Sequence, residues 1–341
     1  MRRAVMFLYL VDMRIKIGTG ISFWKGNYFC FKDTASPSIK NLKFYLEQRG
    51  WRPTRFKSRA RCSNAMLDFP EDVTQTLEAK HLLNDLLLTQ PVSLMPRTYA
   101  IDFEIWPQFL AKISEVEPDH KSWILKPALM NNGQGIFLLR SLTEVSDFFC
   151  SSRCLRGPYV LQEYLQPHLL QGPEKGHKYS MRFFVVLSTR LGGFLYKEGY
   201  ANIALKPYDA FNFKDLSSHL TNEHLSGERL NVIQRPVAQF PILQEFLPQI
   251  ETYCHLLVRA VKEQYPEAFN LDASNHKIAL LGVDFMVDQQ EKLWLLEVNH
   301  GPCFPIEDSH PLFDILYRPF WETLIDLLFY ADNSHNFIKL I

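Results

Sequence analysis

The segment Gly282-Val-Asp-Phe-Met-Val-Asp-Gln-Gln-Glu-Lys-Leu-Trp-Leu-Leu-Glu-Val-Asn299 decides the fold of this chain. Two stretches whose side chains alternate between two faces flank a polar turn, a pattern that predicts two antiparallel strands. The first stretch alternates Val283, Phe285 and Val287 with Asp284, Met286 and Asp288. The second stretch alternates Leu293, Leu295 and Glu297 with Trp294, Leu296 and Val298. The segment therefore predicts a strand, a tight turn and a second strand.

Three oxygen-bearing side chains belong to this predicted ribbon. With a tight turn, Asp284 would lie near the far end of the second strand, close to Glu297 and Asn299. Two carboxylates and one amide oxygen around a single point suit Mg2+ holding a polyphosphate. The alternative is an amphipathic hairpin whose acidic side chains are solvated. Burial of Glu297 among apolar neighbours would be costly without a partner cation, which favours the metal site.

Length and composition restrict the class of protein. A chain of 341 residues fits two or three domains, and 47% hydrophobic residues with 26 Phe are ample for a folded core. Lys+Arg and Asp+Glu are both 37, which gives no net field for binding nucleic acid or an anionic membrane. The six cysteines are scattered, and no apolar run is long enough to span a membrane. We therefore expect a cytoplasmic protein with reduced thiols and neither a nucleic acid nor a membrane as partner.

Periodicity and punctuation along the chain predict an α/β protein. The predicted strands are residues 27–31, 122–126, 136–139, 159–163 and 179–187, besides the ribbon of residues 280–299. The predicted helices are residues 36–49, 77–88, 106–113, 242–264 and about 312–330.

Two further segments carry candidate chemistry. Lys126 ends a predicted strand and precedes a loop with Gly133 and Gly135, an arrangement that suits a flap over nucleotide phosphates as well as an ordinary glycine hairpin. Alternation along residues 178–182 places Lys178 and Arg182 on one face, where two cations would converge at the start of a core strand. The alternative for the second segment is a solvated edge face.

Taken together and in this order, these segments resemble the tubulin–tyrosine ligase family of the ATP-grasp superfamily. The resemblance covers residues from about Trp123 to Pro302. It includes the lysine flap, the Q-x-Y-L segment at Gln162–Leu165 and the K-Y-S-M-R strand at Lys178–Arg182. It continues with the run at Glu198–Tyr208, the N-F…H-L-T-N segment at Asn212–Asn222 and the ribbon.

The resemblance implies an ATP-grasp fold whose lobes enclose a nucleotide cleft. It implies a small N-terminal α/β domain at residues 14–76, a central lobe at 77–163 and a C-terminal lobe with the metal site at 164–335. Adenine would contact Gln162, Glu163, Tyr164 and Leu165, and Lys126 would cover the phosphates. The γ-phosphate would meet Lys178 and Arg182, with Thr221 and Asn222 nearby. Mg2+ would be held by Asp284, Glu297 and Asn299.

The implied chemistry is amide-bond formation driven by ATP. A carboxylate attacks the γ-phosphate to give an acyl phosphate, and an amine then displaces the phosphate. The protein would supply position and positive charge, so no nucleophilic side chain is needed. The partners would be ATP, an amino acid and a peptide or protein acceptor, of which tubulin is one candidate. Alternatives are an ATP-binding interaction protein that has lost ligation, and phosphotransfer to a small molecule.

Two positions depart from the family pattern. Ser180 stands where members usually carry Asp, and Asn202 stands where members usually carry an Arg that binds the carboxylate of the incoming amino acid. An amide can hydrogen-bond a carboxylate but lacks the bidentate cationic fork of arginine. We therefore expect an intact nucleotide site beside an altered amino-acid site, with substrate contacts from Arg182 and Asn202.

Overall fold

The computed structural model describes residues 26–32, 35–130, 133–223, 225, 230–270, 276–306, 308–330 and 335–341. Residues 14–25 of the predicted first domain, and Asn131 and Asn132 of the predicted flap, lie outside the described residues. None of the helices within the described ranges is long and apolar enough to cross a membrane.

The described part of the chain contains thirteen β-strands and eight α-helices. Strands β1 to β13 are Tyr28–Cys30, Arg52–Pro53, Cys62–Ser63, Thr98–Asp102, Trp123–Pro127, Phe137–Leu139, Pro158–Glu163, His177–Ser188, Gly192–Pro207, Val232–Pro236, Ile278–Val287, Leu293–His300 and Phe337–Lys339. Helices α1 to α8 are Pro37–Gln48, Glu71–Glu78, Lys80–Leu87, Trp106–Ile113, Leu142–Cys150, Pro241–Gln244, Leu247–Gln264 and Arg318–Phe329.

These strands form three sheets. The first is parallel, with the order β2-β1-β3. The second is antiparallel, with the order β4-β7-β5-β6. The third is antiparallel and has six strands in the order β10-β9-β8-β11-β12, with β13 also paired to β9. The mixed α/β class predicted from the sequence is confirmed.

The six-stranded sheet separates an apolar layer from the candidate site. On β8 the odd-numbered side chains from Tyr179 to Leu187 face a core that includes helix α7. On the opposite face, Phe184 and Val186 pack in a second core with helix α8. The same face begins with the polar side chains of residues 178, 180 and 182, as alternation predicted. The side chains of β8 thus contribute to both cores and to the site.

Helix α7 covers the apolar layer because its apolar residues recur at helical spacing. Ile250, Cys254, Leu257 and Val261 are fully or almost fully buried against the sheet. Burying a side chain of this kind contributes about 1.5–3 kcal/mol. This layer fixes the sheet and so holds the strand positions on the opposite face.

The second core joins the first sheet to the six-stranded sheet. It contains Phe29 and Trp51 from the first sheet region, Phe184 from β8, and Phe320 and Trp321 from α8. The predicted boundaries at residues 76/77 and 163/164 stay a prediction.

Three predicted helices differ from the structure. The helix predicted over residues 77–88 is two helices that meet at Ala79, whose backbone is extended, and the amide of Lys80 donates instead to Ala128 O at 3.4 Å. The helix predicted over residues 242–264 is divided into α6 and α7, because Pro248 has no N–H and its ring would clash with the preceding turn. The C-terminal helix starts with a π-helical turn at Phe313–Tyr317, just before Pro319.

Candidate functional site

A cavity of about 780 Å³ lies between the four-stranded sheet and the polar part of the six-stranded sheet. This volume is typical of a small-molecule site. Every site residue predicted from the sequence lines it: Lys126, Gln162, Glu163, Tyr164, Leu165, Lys178, Arg182, Asn202, Thr221, Asn222, Asp284, Glu297 and Asn299. The structure therefore brings together segments that are up to 173 positions apart in the sequence, from 126 to 299.

The first feature of the cavity is a row of directly paired residues across four strands, which we call the charged row. It consists of Glu297, Asp284, Arg182 and Tyr200, on β12, β11, β8 and β9. Arg182 donates from Nε to Asp284 Oδ1 at 2.7 Å and from Nη2 to Oδ2 at 2.6 Å. Burial raises the pKa of Asp284 to about 6, against the lowering effect of the Arg182 guanidinium.

A β-bulge places Glu297 in this row. Asp284 pairs with Glu297, but the next residue, Phe285, pairs with Leu295, so Leu296 is an extra residue on β12. Strict alternation placed Glu297 on the same face as Leu295, and this prediction is wrong. The bulge shifts the alternation of faces by one residue. Val298 therefore joins the apolar core, while Leu296, Glu297 and Asn299 line the cavity.

Asn299 joins the two carboxylates, as the ribbon geometry predicted. Its Nδ2 lies 3.4 Å from Asp284 Oδ2 and 3.3 Å from Glu297 Oε1. Rotation of the amide by half a turn would present Oδ1 instead, and two carboxylates with an amide oxygen are the donors that Mg2+ prefers. Within the described ranges there is no group of three or more His, Cys, Asp or Glu suited to a metal. Asn299 is therefore the candidate for a third protein ligand beside Asp284 and Glu297.

Lys80 balances the charge of Glu297 and was not predicted from the sequence. Lys80 Nζ lies 3.8 Å from Glu297 Oε2 and donates to Met130 O at 2.9 Å. Burial alone would raise the pKa of Glu297, but the nearby cations, chiefly Lys80 and Lys126, lower it below its usual value. Lys80 begins helix α3 and belongs to no recognisable motif, so only the packing of α3 could have revealed its role.

Two buried lysines face the cavity from opposite sheets. Burial lowers the pKa of Lys126 to about 8, although Glu297 opposes the shift, and Lys126 Nζ donates to Gln162 Oε1 at 2.9 Å. Burial and the nearby charge of Lys126 lower the pKa of Lys178 to about 7. Lys178 Nζ lies 5.0 Å from the centre of the Tyr164 ring. Because two cations close together disfavour each other's charge, a bound anion would stabilise both ammonium groups.

The glycines of the predicted flap allow close approach across the cavity. Gly133 and Gly135 have φ values of 70° and 66°, in the left-handed region that favours glycine. A Cβ atom at Gly133 would lie 3.2 Å from Asn222 Cγ, and one at Gly135 would lie 2.9 Å from Pro127 Cγ. The loop after Lys126 therefore reaches the segment of residues 219–222 on the other side.

A second row, which we call the neutral row, runs beside the charged row. It consists of Ser180, Asn202 and Gln234, directly paired across β8, β9 and β10. Gln234 Nε2 donates to Asn202 Oδ1 at 3.0 Å, and Thr221 Oγ1 donates to Ser180 Oγ at 2.8 Å. Gln234 was not predicted from the sequence, because its position becomes clear only when β10 is paired with β9.

His219 fastens two predicted site segments together. Its Nε2 lies 3.1 Å from Asn212 O, and its Nδ1 lies 2.7 Å from the Tyr164 hydroxyl. A carbonyl only accepts, so Nε2 carries the proton and Nδ1 accepts from Tyr164. Burial lowers the pKa of His219, which keeps this neutral tautomer. The contact holds the Gln162–Leu165 segment against the segment of residues 212–222.

Comparison with known proteins gives a consistent result. A sequence profile of the Tubulin-tyrosine ligase family matches residues 56–336. The inactive polyglycylase TTLL10 of Homo sapiens is 29% identical over 302 residues, covering 72% of this chain and 42% of that protein. The protein polyglycylase TTLL10 of Macaca fascicularis is 29% identical, covering 61% and 38%. The probable tubulin polyglutamylase TTLL2 of Mus musculus is 26% identical, covering 62% and 42%. The chain thus spans less than half the length of these relatives.

Proposed function

Because the chain belongs to the tubulin-tyrosine ligase family, we propose that it is an ATP- and Mg2+-dependent ligase that joins an amino acid to a peptide or protein. The observation that most strongly supports this proposal is that the charged row and two buried lysines face the same cavity. Acidic side chains for a cation and basic side chains for phosphate thus meet in a space large enough for a nucleotide. The predicted ATP-grasp fold class agrees with this family.

The donor set fits Mg2+, with Asp284, Glu297 and Asn299 as ligands. When bound, the ion would neutralise part of the polyphosphate charge. The carboxylates of the row would repel a phosphate group bound to the nearby basic side chains. A cation between the carboxylates and the phosphate would remove this repulsion. The Asn299 amide lies within 3.4 Å of both carboxylates, which supports a shared ligand.

The basic side chains would bind and orient ATP. Lys126 and Lys178 gain charge when an anion binds, because their pKa values of about 8 and 7 lie near neutrality in the free protein. Arg182 stays charged and directs its guanidinium along the row. These groups would stabilise negative charge on the phosphoryl group during transfer.

The reaction then proceeds in two balanced steps. An acceptor carboxylate forms a bond to the γ-phosphorus and ADP leaves, which gives an acyl phosphate. The amino group of the incoming amino acid forms the C–N bond, phosphate leaves with the C–O electron pair, and the amine loses a proton. The chain's residues serve to orient the reactants, exclude water and neutralise charge.

The neutral row supports an amino acid with a small, uncharged side chain. Ser180, Asn202 and Gln234 offer hydrogen bonds but no positive charge for a second carboxylate. Among the amino acids suggested by the names of the relatives, glycine fits this row better than glutamate. The acceptor is then a peptide or protein, and tubulin is the first candidate because a relative's name includes it.

The test is a ligation assay with isotope-labelled glycine and glutamate, ATP, Mg2+ and either tubulin or glutamate-rich peptides. We expect ADP formation and a mass shift on the acceptor with glycine. Hydroxylamine should trap the acyl phosphate as a hydroxamate before the amino acid is added. ATP hydrolysis with neither adduct nor hydroxamate would contradict the proposal.

A second candidate is a nucleotide-binding interaction protein without ligase activity. The observation that favours it is the neutral row itself, because its amides and hydroxyls satisfy one another at 3.0 and 2.8 Å. Tight binding of Mg2+ and ATP with no product from any amino acid would favour this function.

A further inference from the structure

Tyr200 lies where the charged row and the neutral row meet. It pairs directly with Arg182 across β8 and β9, and it precedes Asn202 of the neutral row by two residues on β9. Side chains two residues apart on a strand point to the same face, so Tyr200 adjoins both rows. Arg182, Tyr200 and Asn202 all line the cavity. Two substrates bound beside Arg182 and beside Asn202 would therefore meet next to Tyr200.

A second tyrosine reaches the same part of the cavity from the C-terminal segment. Tyr317 ends the π-helical turn that precedes α8, and it lines the cavity. The centre of its ring lies 6.3 Å from that of Tyr200, and the two ring planes are 73° apart. Turns of this kind are rare in helices and occur frequently at functional sites.

The rings of both tyrosines are buried in the second core. Tyr200 is 4% exposed, and its ring centre lies 6.2 Å from that of Phe184. Tyr317 is 3% exposed, and its ring centre lies 5.9 Å from that of Phe304. Phe304 in turn stacks on Phe320 of α8 at 4.9 Å. This packing holds both rings in place at the wall of the cavity.

The two hydroxyl groups have a proton to spare for a ligand. The Tyr200 hydroxyl interacts with the Arg182 guanidinium and with the Tyr317 hydroxyl. An arginine only donates hydrogen bonds, and a link between the two hydroxyls uses one of their two protons. One O–H proton therefore has no acceptor among these groups. Burial raises the pKa of Tyr200 and of Tyr317, so both hydroxyls keep their protons at neutral pH.

On the basis of the proposed function, we propose that Tyr200 is a catalytic residue that donates a hydrogen bond to the acyl oxygen of the acceptor, and that Tyr317 is its positioning residue. The acyl oxygen is the carboxylate oxygen that does not bond to phosphorus. Tyr317 donates to the Tyr200 oxygen and so directs the Tyr200 proton into the cavity. A hydroxyl that accepts one hydrogen bond also becomes a stronger donor of the next.

The hydrogen bond from Tyr200 acts mainly in the second step of ligation. When the amine attacks the acyl phosphate, the C–N bond forms and the C=O electron pair moves onto the acyl oxygen. When this oxyanion collapses, the C=O bond forms again and phosphate leaves with the C–O electron pair and the proton lost by nitrogen. A donor already in place stabilises the full negative charge more than the partial charge of the earlier carboxylate or carbonyl oxygen.

The experiment is a single-turnover assay with ATP, Mg2+, a glutamate-rich peptide and labelled glycine, in which ADP and amide are measured in the same samples. Quenching into hydroxylamine under denaturing conditions converts accumulated acyl phosphate to a hydroxamate. Tyr200→Phe and Tyr317→Phe each remove one hydroxyl and keep the ring. Tyr196→Phe is the matched control, since Tyr196 belongs to the same strand and the same core but its hydroxyl interacts with Thr323 of α8.

We expect amide formation to fall by about 10- to 100-fold in Tyr200→Phe, as for loss of one hydrogen bond to a charged group. ADP formation should change by no more than about threefold, so acyl phosphate should accumulate and appear as hydroxamate. Tyr317→Phe should show the same pattern with a fall of about three- to tenfold. Tyr196→Phe should match the wild-type chain in both rates.

Two results would overturn the inference alone, with a wild-type chain that forms the amide. One is an unchanged rate of amide formation in folded Tyr200→Phe. The other is an equal fall of ADP and amide formation without hydroxamate, which together with a lower melting temperature would mean a purely structural role. If the wild-type chain formed neither ADP nor amide, the proposed function would fail and the inference with it.

Discussion

The charged row and the neutral row lie side by side on the same sheet but are stabilised in different ways. Arg182 of the charged row and Ser180 of the neutral row are two residues apart on β8 and face the same cavity. The charged row depends on cations from other elements, because Lys80 reaches Glu297 from α3 and Lys126 acts on it from β5. The neutral row is satisfied by its own members and by Thr221.

Because of this difference, the two rows should respond differently to substitution. Removing one member of a buried charged group leaves its partners unneutralised, which is costly. Removing one member of a neutral hydrogen-bonded pair costs only about 1 kcal/mol. The charged row would hold Mg2+ and the phosphates, so changes there should act mainly on turnover. The neutral row would contact the amino acid, so changes there should act mainly on the choice of amino acid.

The largest expected effect follows replacement of Glu297 by Gln. The amide keeps the shape but removes the charge that faces Lys80 and Lys126, and it is a poor ligand for Mg2+. We expect turnover to fall by about 10²-fold or more, measured as ADP release. Glu78→Gln is the control, since Glu78 lines the same cavity outside the row, and its turnover should stay within about threefold. Equal losses in the two variants would show that the charged row is no more sensitive than the rest of the cavity.

The sequence predicted the ribbon and the β8 face because both depend on local alternation. Val283, Phe285 and Val287 entered the core as expected, and Asp284 faced the cavity. The bulge at Leu296 could not be predicted, since a bulge is defined by the partner strand. The same limit applies to Lys80, whose position depends on how α3 packs.

Helix α5 and strand β9 were not predicted, for different reasons. Helix α5 was not predicted, although Ser141 accepts from Glu144 N at 3.1 Å and the S-x-x-E spacing is a readable helix start. Strand β9 was not predicted because Gly199 and its charged neighbours interrupt its apolar alternation. A Cβ atom at Gly199 would lie 2.7 Å from Arg182 O, so this glycine permits close approach to β8.

A smaller effect is expected when charge is introduced into the neutral row. Asn202→Arg would add a bidentate cationic group opposite Ser180. We expect use of glutamate relative to glycine to rise about tenfold, measured by competition between labelled amino acids. Asn202→Gln controls for side-chain size, and melting temperatures control for burial of the new charge. An unchanged preference in the folded Arg variant would remove the neutral row from amino-acid selection.

The pH dependence of nucleotide binding tests the buried lysine beside both rows. The groups around Lys178 are Lys126, Tyr164 and His219. The pKa of Lys178 is about 7 in the free protein, and an anion raises it, so binding takes up a proton above pH 7. Affinity for a non-hydrolysable ATP analogue, which keeps the γ-phosphate that Lys178 would meet, should therefore fall by about three- to tenfold between pH 7 and pH 8. Lys178→Arg stays charged and should flatten this dependence, whereas an equally steep fall in that variant would assign it to another group.

The smallest effect is expected for Ser180→Ala, which tests the neutral row from its other end. The change removes only the acceptor of Thr221 Oγ1, a neutral hydrogen bond at the edge of a cavity. The free energy of unfolding should fall by about 1 kcal/mol or less, measured by urea titration, because a hydroxyl beside a cavity can find water instead. Turnover with glycine should change by no more than about twofold. A loss as large as that of Glu297→Gln would mean that the hydroxyl takes part in phosphoryl transfer, and the two rows would then act as one site.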